Sequence, residues 1–183
     1  MPRSWSLSAK LGAIGGALLL MAFASIGLTL WVTWQLEGGA AAVNEAGRMR
    51  MQTWRMAQTL ARADAQQIAE LAAQFDQSVS VLQTGDPARP LLVPHDALSQ
   101  EAFAAVQRDW LELKARWTAL PGPGAELSGQ QADAFVVRID TFVSAIEHHL
   151  SRLTAILNAV QFVMVALTIG SAIALLYSAW LFI

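Results

Sequence analysis

The chain has 183 residues, of which 55% are hydrophobic and only 14% are charged. This composition is too apolar for an ordinary soluble domain and favours a membrane protein. The net charge of −2 says little about partners, and we expect no nucleic acid among them. There is no cysteine, so disulfide bonds are excluded.

Two segments lack charged side chains and are long enough to cross a bilayer. The first runs from Leu11 to Trp34 and the second from Leu153 to Ile183. At about 1.5 Å per residue, a helix as long as the first segment reaches about 36 Å. The apolar core of a bilayer is about 30 Å thick. We therefore predict transmembrane helices at residues 11–34 and 156–183.

The first segment could instead be a signal peptide, because Arg3 and Lys10 precede it and it contains an AFA sequence that resembles a cleavage site. Its apolar residues continue well beyond the roughly 7–15 residues of a signal-peptide core, so we favour an uncleaved anchor. The positive-inside rule then places residues 1–10 in the cytoplasm. Residues 35–152 follow on the other side of the membrane.

Residues 35–152 are predicted to form an antiparallel four-helix bundle, and the fold class is therefore all-α. The proline-free stretch 37–84 is too long for one helix of a compact domain. We expect a break near Ala63, because Asp64 can cap a new helix and Gln67 lies three residues later, in the position of a capping box.

Proline and glycine mark the remaining connections of the predicted bundle. The sequence GDPARPLLVP, residues 85–94, is typical of a loop. A third helix is expected from Leu98 to Leu120, and PGPG at residues 121–124 ends it. A fourth helix is expected to begin near Ser128 and to run directly into the second apolar segment. Short connections of this kind favour antiparallel neighbours.

The sequence NEAGRMRMQTWRM, residues 44–56, places three arginines just beyond the first apolar segment. At about 100° per residue, one helix face carries Arg50 among small or apolar side chains. This face comprises Val43, Ala46, Gly47, Arg50, Thr53, Trp54, Ala57 and Ala61. The residues predicted to enter the bundle core are Met49, Met56 and Leu60. The residues predicted to be solvated are Asn44, Arg48, Gln52, Arg55 and Arg62.

The small residues around Arg50 would let a second copy of the chain approach closely, so we predict a homodimer with Ala46, Gly47 and Ala57 in its seam. Two Arg50 side chains would then face each other. That arrangement becomes favourable when a planar oxyanion lies between the two guanidinium groups. The residues leave an alternative open, in which Arg50 reaches toward solvent or pairs with an acid such as Glu45 or Asp76.

The same stretch resembles the periplasmic P-box of NarX-type nitrate/nitrite sensor histidine kinases, which reads approximately N-x-A-G-S-L-R-M-Q-S-Y-R. The matching residues are Asn44, Ala46, Gly47, Arg50, Met51, Gln52 and Arg55, with Thr53 and Trp54 as close substitutes. The same N-terminal domain is found in PilJ-type methyl-accepting transducers of type IV pili. The sequence FDQSVSVLQTGDPAR, residues 75–89, resembles the second helix and following loop of that family.

The resemblance implies that Arg50 binds nitrate or nitrite, with one copy from each subunit closing on a single anion at the dimer interface. The implied ligand-binding residues are Arg50, Gly47, Ala46, Met51 and Trp54, with Asn44 and Arg55 in support. Two residues depart from the nitrate sensors. Arg48 stands where they usually have serine and looks more like the pilus transducers. Glu45 stands where some of them carry lysine, and an acid at this place opposes anion binding.

We therefore predict the sensory and transmembrane module of a two-component nitrate/nitrite sensor histidine kinase in a bacterial inner membrane. The predicted order is a cytoplasmic N-terminus at 1–10, a transmembrane helix at 11–34, a periplasmic four-helix sensor at 35–152 and a second transmembrane helix at 156–183. A cytoplasmic output region is expected beyond Ile183 and would act on a response regulator. The alternatives are a module of a type IV pilus or chemotaxis methyl-accepting transducer, and a structural membrane bundle that binds nothing.

We expect no catalytic residue, metal site or cofactor within these residues, so the ATP-dependent kinase activity would belong to the region beyond them. His148 and His149 are adjacent and would point about 100° apart on a helix. Two metal ligands on one helix need a spacing of three or four residues. These histidines are therefore interpreted as solvated side chains near the membrane surface.

Overall fold

The computed structural model describes residues 7–86, 88–119 and 125–181. It contains four α-helices, and no strand occurs in the described part of the chain. The helices are α1 (Leu7–Ala61), α2 (Ala65–Thr84), α3 (Ala97–Ala119) and α4 (Ala125–Leu181). The predicted all-α fold class is thereby confirmed.

The chain divides into two compact units, which we describe separately. One unit contains the chain up to Thr33 and from Arg152 onward, and the other is Trp34–Ser151. In the first unit, parts of α1 and α4 are long and apolar enough to cross a membrane, and the most apolar windows bury none of their side chains. Apolar surfaces of this size match lipid tails better than water.

The second unit is the helical bundle, and contacts between its helices show that consecutive helices run antiparallel. Arg50 of α1 reaches Asp140 of α4, whereas Gly39, further back on α1, packs on Leu150. Positions therefore rise along α1 as they fall along α4. The same opposite order holds within the consecutive pairs α1 and α2, α2 and α3, and α3 and α4.

All four helices contribute to one hydrophobic core in this unit. Aromatic rings from α2, α3 and α4 fill its centre, where Phe75 stacks on Trp110 with ring centroids 4.0 Å apart and also contacts Phe135. The side chains that α1 brings to the core are small or flexible by comparison: Ala42, Ala46, Met49, Met56, Ala57 and Leu60. Large rings opposite small residues allow the helices to pack closely.

The connection between α1 and α2 forms as the sequence predicts. Ala63 takes a left-handed conformation with a φ of 55°, and Asp64 caps α2 by accepting a hydrogen bond of 3.0 Å from the backbone amide of Gln67. The loop after α2 begins at Gly85, whose φ is 81°. Helix α4 begins at Ala125, three residues before the predicted start at Ser128. The PGPG sequence at 121–124 lies outside the described residues.

Candidate functional site

The arginine-rich stretch lies on the part of α1 that belongs to the bundle, and Arg50 there forms an ion pair with α4. Its Nη1 donates a hydrogen bond of 2.7 Å to Oδ1 of Asp140. The two side chains are 41% and 48% exposed, so water screens the pair and its contribution to folding is small. Pairing with an acid was the alternative that the sequence left open, but the partner is neither Glu45 nor Asp76.

Most of the residues predicted to bind the ligand lie on the outward face of α1. Gly47, Arg50, Met51 and Trp54 lie at helical spacings of three and four residues, so their side chains share one side of the helix. Met51 is 48% exposed and Trp54 is 39% exposed. The supporting residues Asn44 and Arg55 are also exposed. We call Gly47, Arg50, Met51 and Trp54 the outer patch.

Ala46 does not belong to the outer patch, and the predicted seam of small residues is wrong in this respect. Ala46 is 0% exposed and Ala57 is 6% exposed, because both pack in the core of their own bundle. The small residues of α1 let it approach its own neighbours, which supply the large aromatic rings. A second copy of the chain cannot contact these two side chains without opening the core.

A third side of α1 faces α2 and carries polar groups that are almost fully buried. Glu45 is 2% exposed, and its two carboxylate oxygens lie 3.5 Å from Nη1 of Arg48 and 3.3 Å from Nη2 of Arg89. Gln52 is 4% exposed, although its position around the helix predicted it to be solvated. Its Oε1 atom accepts no hydrogen bond from any described residue. A buried acceptor left in this way costs about 1–3 kcal/mol.

These polar groups line a cavity of about 360 Å³ between α1, α2 and the loop that follows α2. Its polar lining includes Glu45, Arg48, Gln52, Gln74, Asp86 and Arg89, and we call this space the α1–α2 cavity. The sequence did not reveal it, because Arg89 comes from a loop. The one available signal was the spacing of Glu45, Arg48 and Gln52, which places three polar residues on one side of a helix.

The loop side of the α1–α2 cavity holds a tight pair of opposite charges. Nε of Arg89 donates a hydrogen bond of 2.8 Å to Oδ2 of Asp86, and the backbone amide of Ala88 donates one of 2.9 Å to the other carboxylate oxygen. The amide of Ala88, followed by the Arg89 side chain, lowers the pKa of Asp86. In turn, the hydrogen bond to Asp86 raises the pKa of Arg89. Both groups therefore stay charged at neutral pH.

A separate polar contact joins α4 to the segment before α3. Nδ1 of His149 lies 3.1 Å from Oδ2 of Asp96, and the backbone amide of Ser99 donates to Oδ1. Burial raises the pKa of Asp96, but hydrogen bonding from Ser99 and the charge of His149 outweigh it, so the pKa lies below its ordinary value. His148, next to His149, is exposed. No group of three possible metal ligands occurs among the described residues.

A family model described as the N-terminal region of type IV pili methyl-accepting chemotaxis transducers (PilJ) matches residues 31–136. The matched range contains the outer patch and the α1–α2 cavity. No curated protein matches the chain.

Proposed function

We propose that this chain is the sensory and membrane-spanning module of a methyl-accepting chemotaxis transducer. The chain belongs to the PilJ family of N-terminal regions of type IV pili methyl-accepting chemotaxis transducers. A sensory module in a membrane transducer is what the family and the two apolar helical segments together indicate. The proposal adds a bacterial inner membrane, a sensor bundle in the periplasm, a homodimer and a methyl-accepting output region in the cytoplasm.

The observation that carries the proposal is the continuity of α1 and α4. Each runs without a break between the bundle and an apolar segment. A continuous helix transmits a displacement along its axis, and helix shifts of about 1–2 Å are a common form of signal. A cue that binds one arrangement of α1 and α4 better than another would change the populations of the two arrangements.

The ion pair between Arg50 and Asp140 gives this mechanism a test, because it joins the two helices that carry the signal. The chain would be fused at its C-terminal end to the cytoplasmic region of a methyl-accepting transducer, and basal output measured in cells. Arg50→Gln and Asp140→Asn each break the same link and should shift the output in the same direction. Exchange of the two charges, Arg50→Asp with Asp140→Arg, should restore it.

The control is an ion pair of similar length and exposure that does not involve α1. Nε of Arg138 on α4 donates a hydrogen bond of 2.8 Å to Oδ2 of Asp109 on α3. Asp109→Asn should leave the output at the parent level. If Asp109→Asn shifted the output as much as Asp140→Asn, the link between α1 and α4 would have no special role and the mechanism would be refuted.

A nitrate or nitrite sensor histidine kinase is the second candidate, and the position of Arg50 in the outer patch favours it. Two copies of Arg50 could close on one anion between subunits, as the resemblance implies. Asp140 already holds the guanidinium of Arg50, however, and Glu45 lies close to Arg48. An anion would have to displace a carboxylate that is 2.7 Å away. We therefore place the transducer first.

Nitrate titration of the full chain in lipid nanodiscs tests the second candidate. Asp140→Asn should raise nitrate affinity, because it removes the competing carboxylate. Arg50→Ala should lower it by about 100-fold, since two charge-assisted hydrogen bonds per site would be lost. Arg50→Lys should also bind poorly, because an ammonium group lacks the planar fork. If Asp140→Asn bound no nitrate, the anion proposal would be excluded.

A further inference from the structure

The contact between α4 and the segment before α3 places an imidazole beside a carboxylate oxygen that water hardly reaches. Nδ1 of His149 lies 3.1 Å from Oδ2 of Asp96, and the two side chains are only 24% and 27% exposed. The Oδ2 atom is buried, and no described residue gives it a hydrogen bond of good geometry. A buried carboxylate oxygen in this situation is stabilised by a positive charge or a donor placed next to it.

Protonation of His149 supplies both. A neutral imidazole carries a proton on only one of its two nitrogens, whereas a protonated imidazole carries one on each, so Nδ1 is then always a donor. The ring also gains a full positive charge next to the carboxylate. Histidine side chains in general change charge between about pH 5 and 8. The contact therefore strengthens as the pH falls through this range and weakens as the pH rises.

Asp96 keeps its negative charge over the same range. Burial raises its pKa, but hydrogen bonding from Ser99 and the charge of His149 outweigh burial, and the pKa lies below its ordinary value of 3.8. The backbone amide of Ser99 donates to Oδ1 over 3.1 Å, and this bond does not depend on the imidazole. Within the contact, the imidazole is therefore the group that changes charge between about pH 5 and 8.

Other charged or titratable side chains near this end of the bundle act on His149 less than Asp96 does. Two of them, in the loop after α2, pair with each other. The rest are exposed, so water and salt screen them. The loop pair is Asp86 and Arg89, and the exposed residues are Glu37 on α1, His95 before α3, Glu101 on α3, and Glu147, His148 and Arg152 on α4.

We propose that the contact between Asp96 and His149 is a pH-sensitive latch between α4 and the start of α3. Protonation of His149 tightens the latch, and loss of the proton loosens it. His149 lies close to Ser151, where the bundle unit ends, so the latch acts on the last turn of α4 within the bundle. That the latch responds to pH does not depend on the signalling role of the chain. That it changes the output of a transducer rests on the proposed function.

A double-mutant cycle in the full chain, held in lipid nanodiscs, measures the latch. The variants are Asp96→Asn, His149→Ala and the two combined, and each is unfolded at about pH 5.5 and about pH 8. The cycle isolates the interaction between the two side chains, because the effects that each has alone cancel. At the lower pH the interaction should change the unfolding equilibrium constant by about threefold or more, as expected for a charged pair that is partly exposed. At the higher pH the change should be much smaller.

The substitutions are chosen so that the fold survives. Asparagine at position 96 keeps a side-chain oxygen that can accept from the amide of Ser99, and alanine suits the interior of α4. If Asp96→Asn does not fold, Asp96→Ser takes its place, because serine also caps helices well. The control is His148→Ala, the same substitution at the neighbouring exposed histidine. It should leave the pH dependence of unfolding as it is in the parent, whereas His149→Ala should reduce it.

Two results would overturn the latch. One is an interaction between positions 96 and 149 that is equally strong at both pH values. The other is a pH dependence that His148→Ala reduces as much as His149→Ala does. Neither result affects the proposed function, which rests on the comparison of Asp140→Asn with Asp109→Asn.

The regulatory role is measured in cells with the chain fused to the cytoplasmic region of a methyl-accepting transducer. The output of the parent should change as the external pH is moved between about 5.5 and 8. His149→Ala should remove most of that change, and His148→Ala should retain it. If His149→Ala responded to pH as the parent does, the latch would have no regulatory role.

Discussion

Gly39 on α1 lies against Leu150 on α4, and Gly39→Ala tests how tightly these two helices are packed. A Cβ atom at this position would lie 2.7 Å from both Cδ atoms of Leu150 and 3.1 Å from its Cγ. All three atoms belong to one flexible side chain, so Leu150 must take another rotamer or the helices must separate slightly. Overpacking of this kind costs about 1–3 kcal/mol.

The intrinsic preference of helices for alanine works in the other direction. Alanine is more favourable than glycine in a helix interior by about 0.8–1 kcal/mol. Gly39→Ala should therefore destabilise the bundle by about 0–2 kcal/mol. Gly129→Ala on α4 is the matched control, because nothing lies within 4 Å of the added Cβ. It should stabilise the bundle by up to about 1 kcal/mol.

The difference between the two alanine variants isolates the packing cost, because the helix preference is common to both. It should amount to about 1–3 kcal/mol, with Gly39→Ala the less stable. Thermal unfolding of the full chain in nanodiscs, followed by circular dichroism, measures it. If Gly39→Ala were as stable as Gly129→Ala, the close approach of α1 to α4 at this point would be refuted.

Three further results are expected. A cysteine at Leu98, which is exposed, should react with a membrane-impermeant maleimide in intact spheroplasts. A cysteine at Ser99, which is buried, should react only after unfolding. Labelling at position 98 only after lysis would show that the bundle lies on the cytoplasmic side and refute the predicted topology. In a parallel dimer, a cysteine at Trp54 of the outer patch should cross-link to its copy, and a cysteine at Ala46 should not. The reverse result would show that the dimer forms through the small residues predicted from the sequence. Because the pKa of Asp96 is lowered, its contribution to stability is complete above about pH 5 and is lost as the pH falls through the folded pKa. Asp96→Asn should flatten this acid-side loss in a series of unfolding curves, and an unchanged pH dependence would contradict it.

The features that the sequence predicted correctly depend on residues close together in the chain. The break near Ala63 follows from Asp64 and Gln67, which are three residues apart and form the cap on their own. Met49, Met56 and Leu60 were placed in the core by their helical spacing alone, and all three are buried. Local chemistry of this kind does not depend on how the helices pack.

The features that the sequence missed depend on the register between helices. The partner of Arg50 is Asp140, 90 residues further along the chain. A helical wheel orders the side chains of one helix around its axis, but it does not show which direction faces the core. The wheel of α1 was therefore read with the core too far from Ala46 and too close to the side that carries Met49. Gln52 was missed for a different reason: it lies on the opposite side of Met49 from Ala46, and α2 and the loop after it cover that side of the helix.

The stretch at residues 44–56 faces three environments at once, because successive residues of a helix point about 100° apart. Ala46 and Met49 face the core, Arg50 and Trp54 face outward, and Gln52 faces the α1–α2 cavity. The outer patch and the α1–α2 cavity thus lie on the same two turns of one helix. If a contact at either place favours one position of α1, it must change the free energy of contacts at the other by the same amount. A contact made at the outer patch would in this way alter the polar groups of the cavity without touching them.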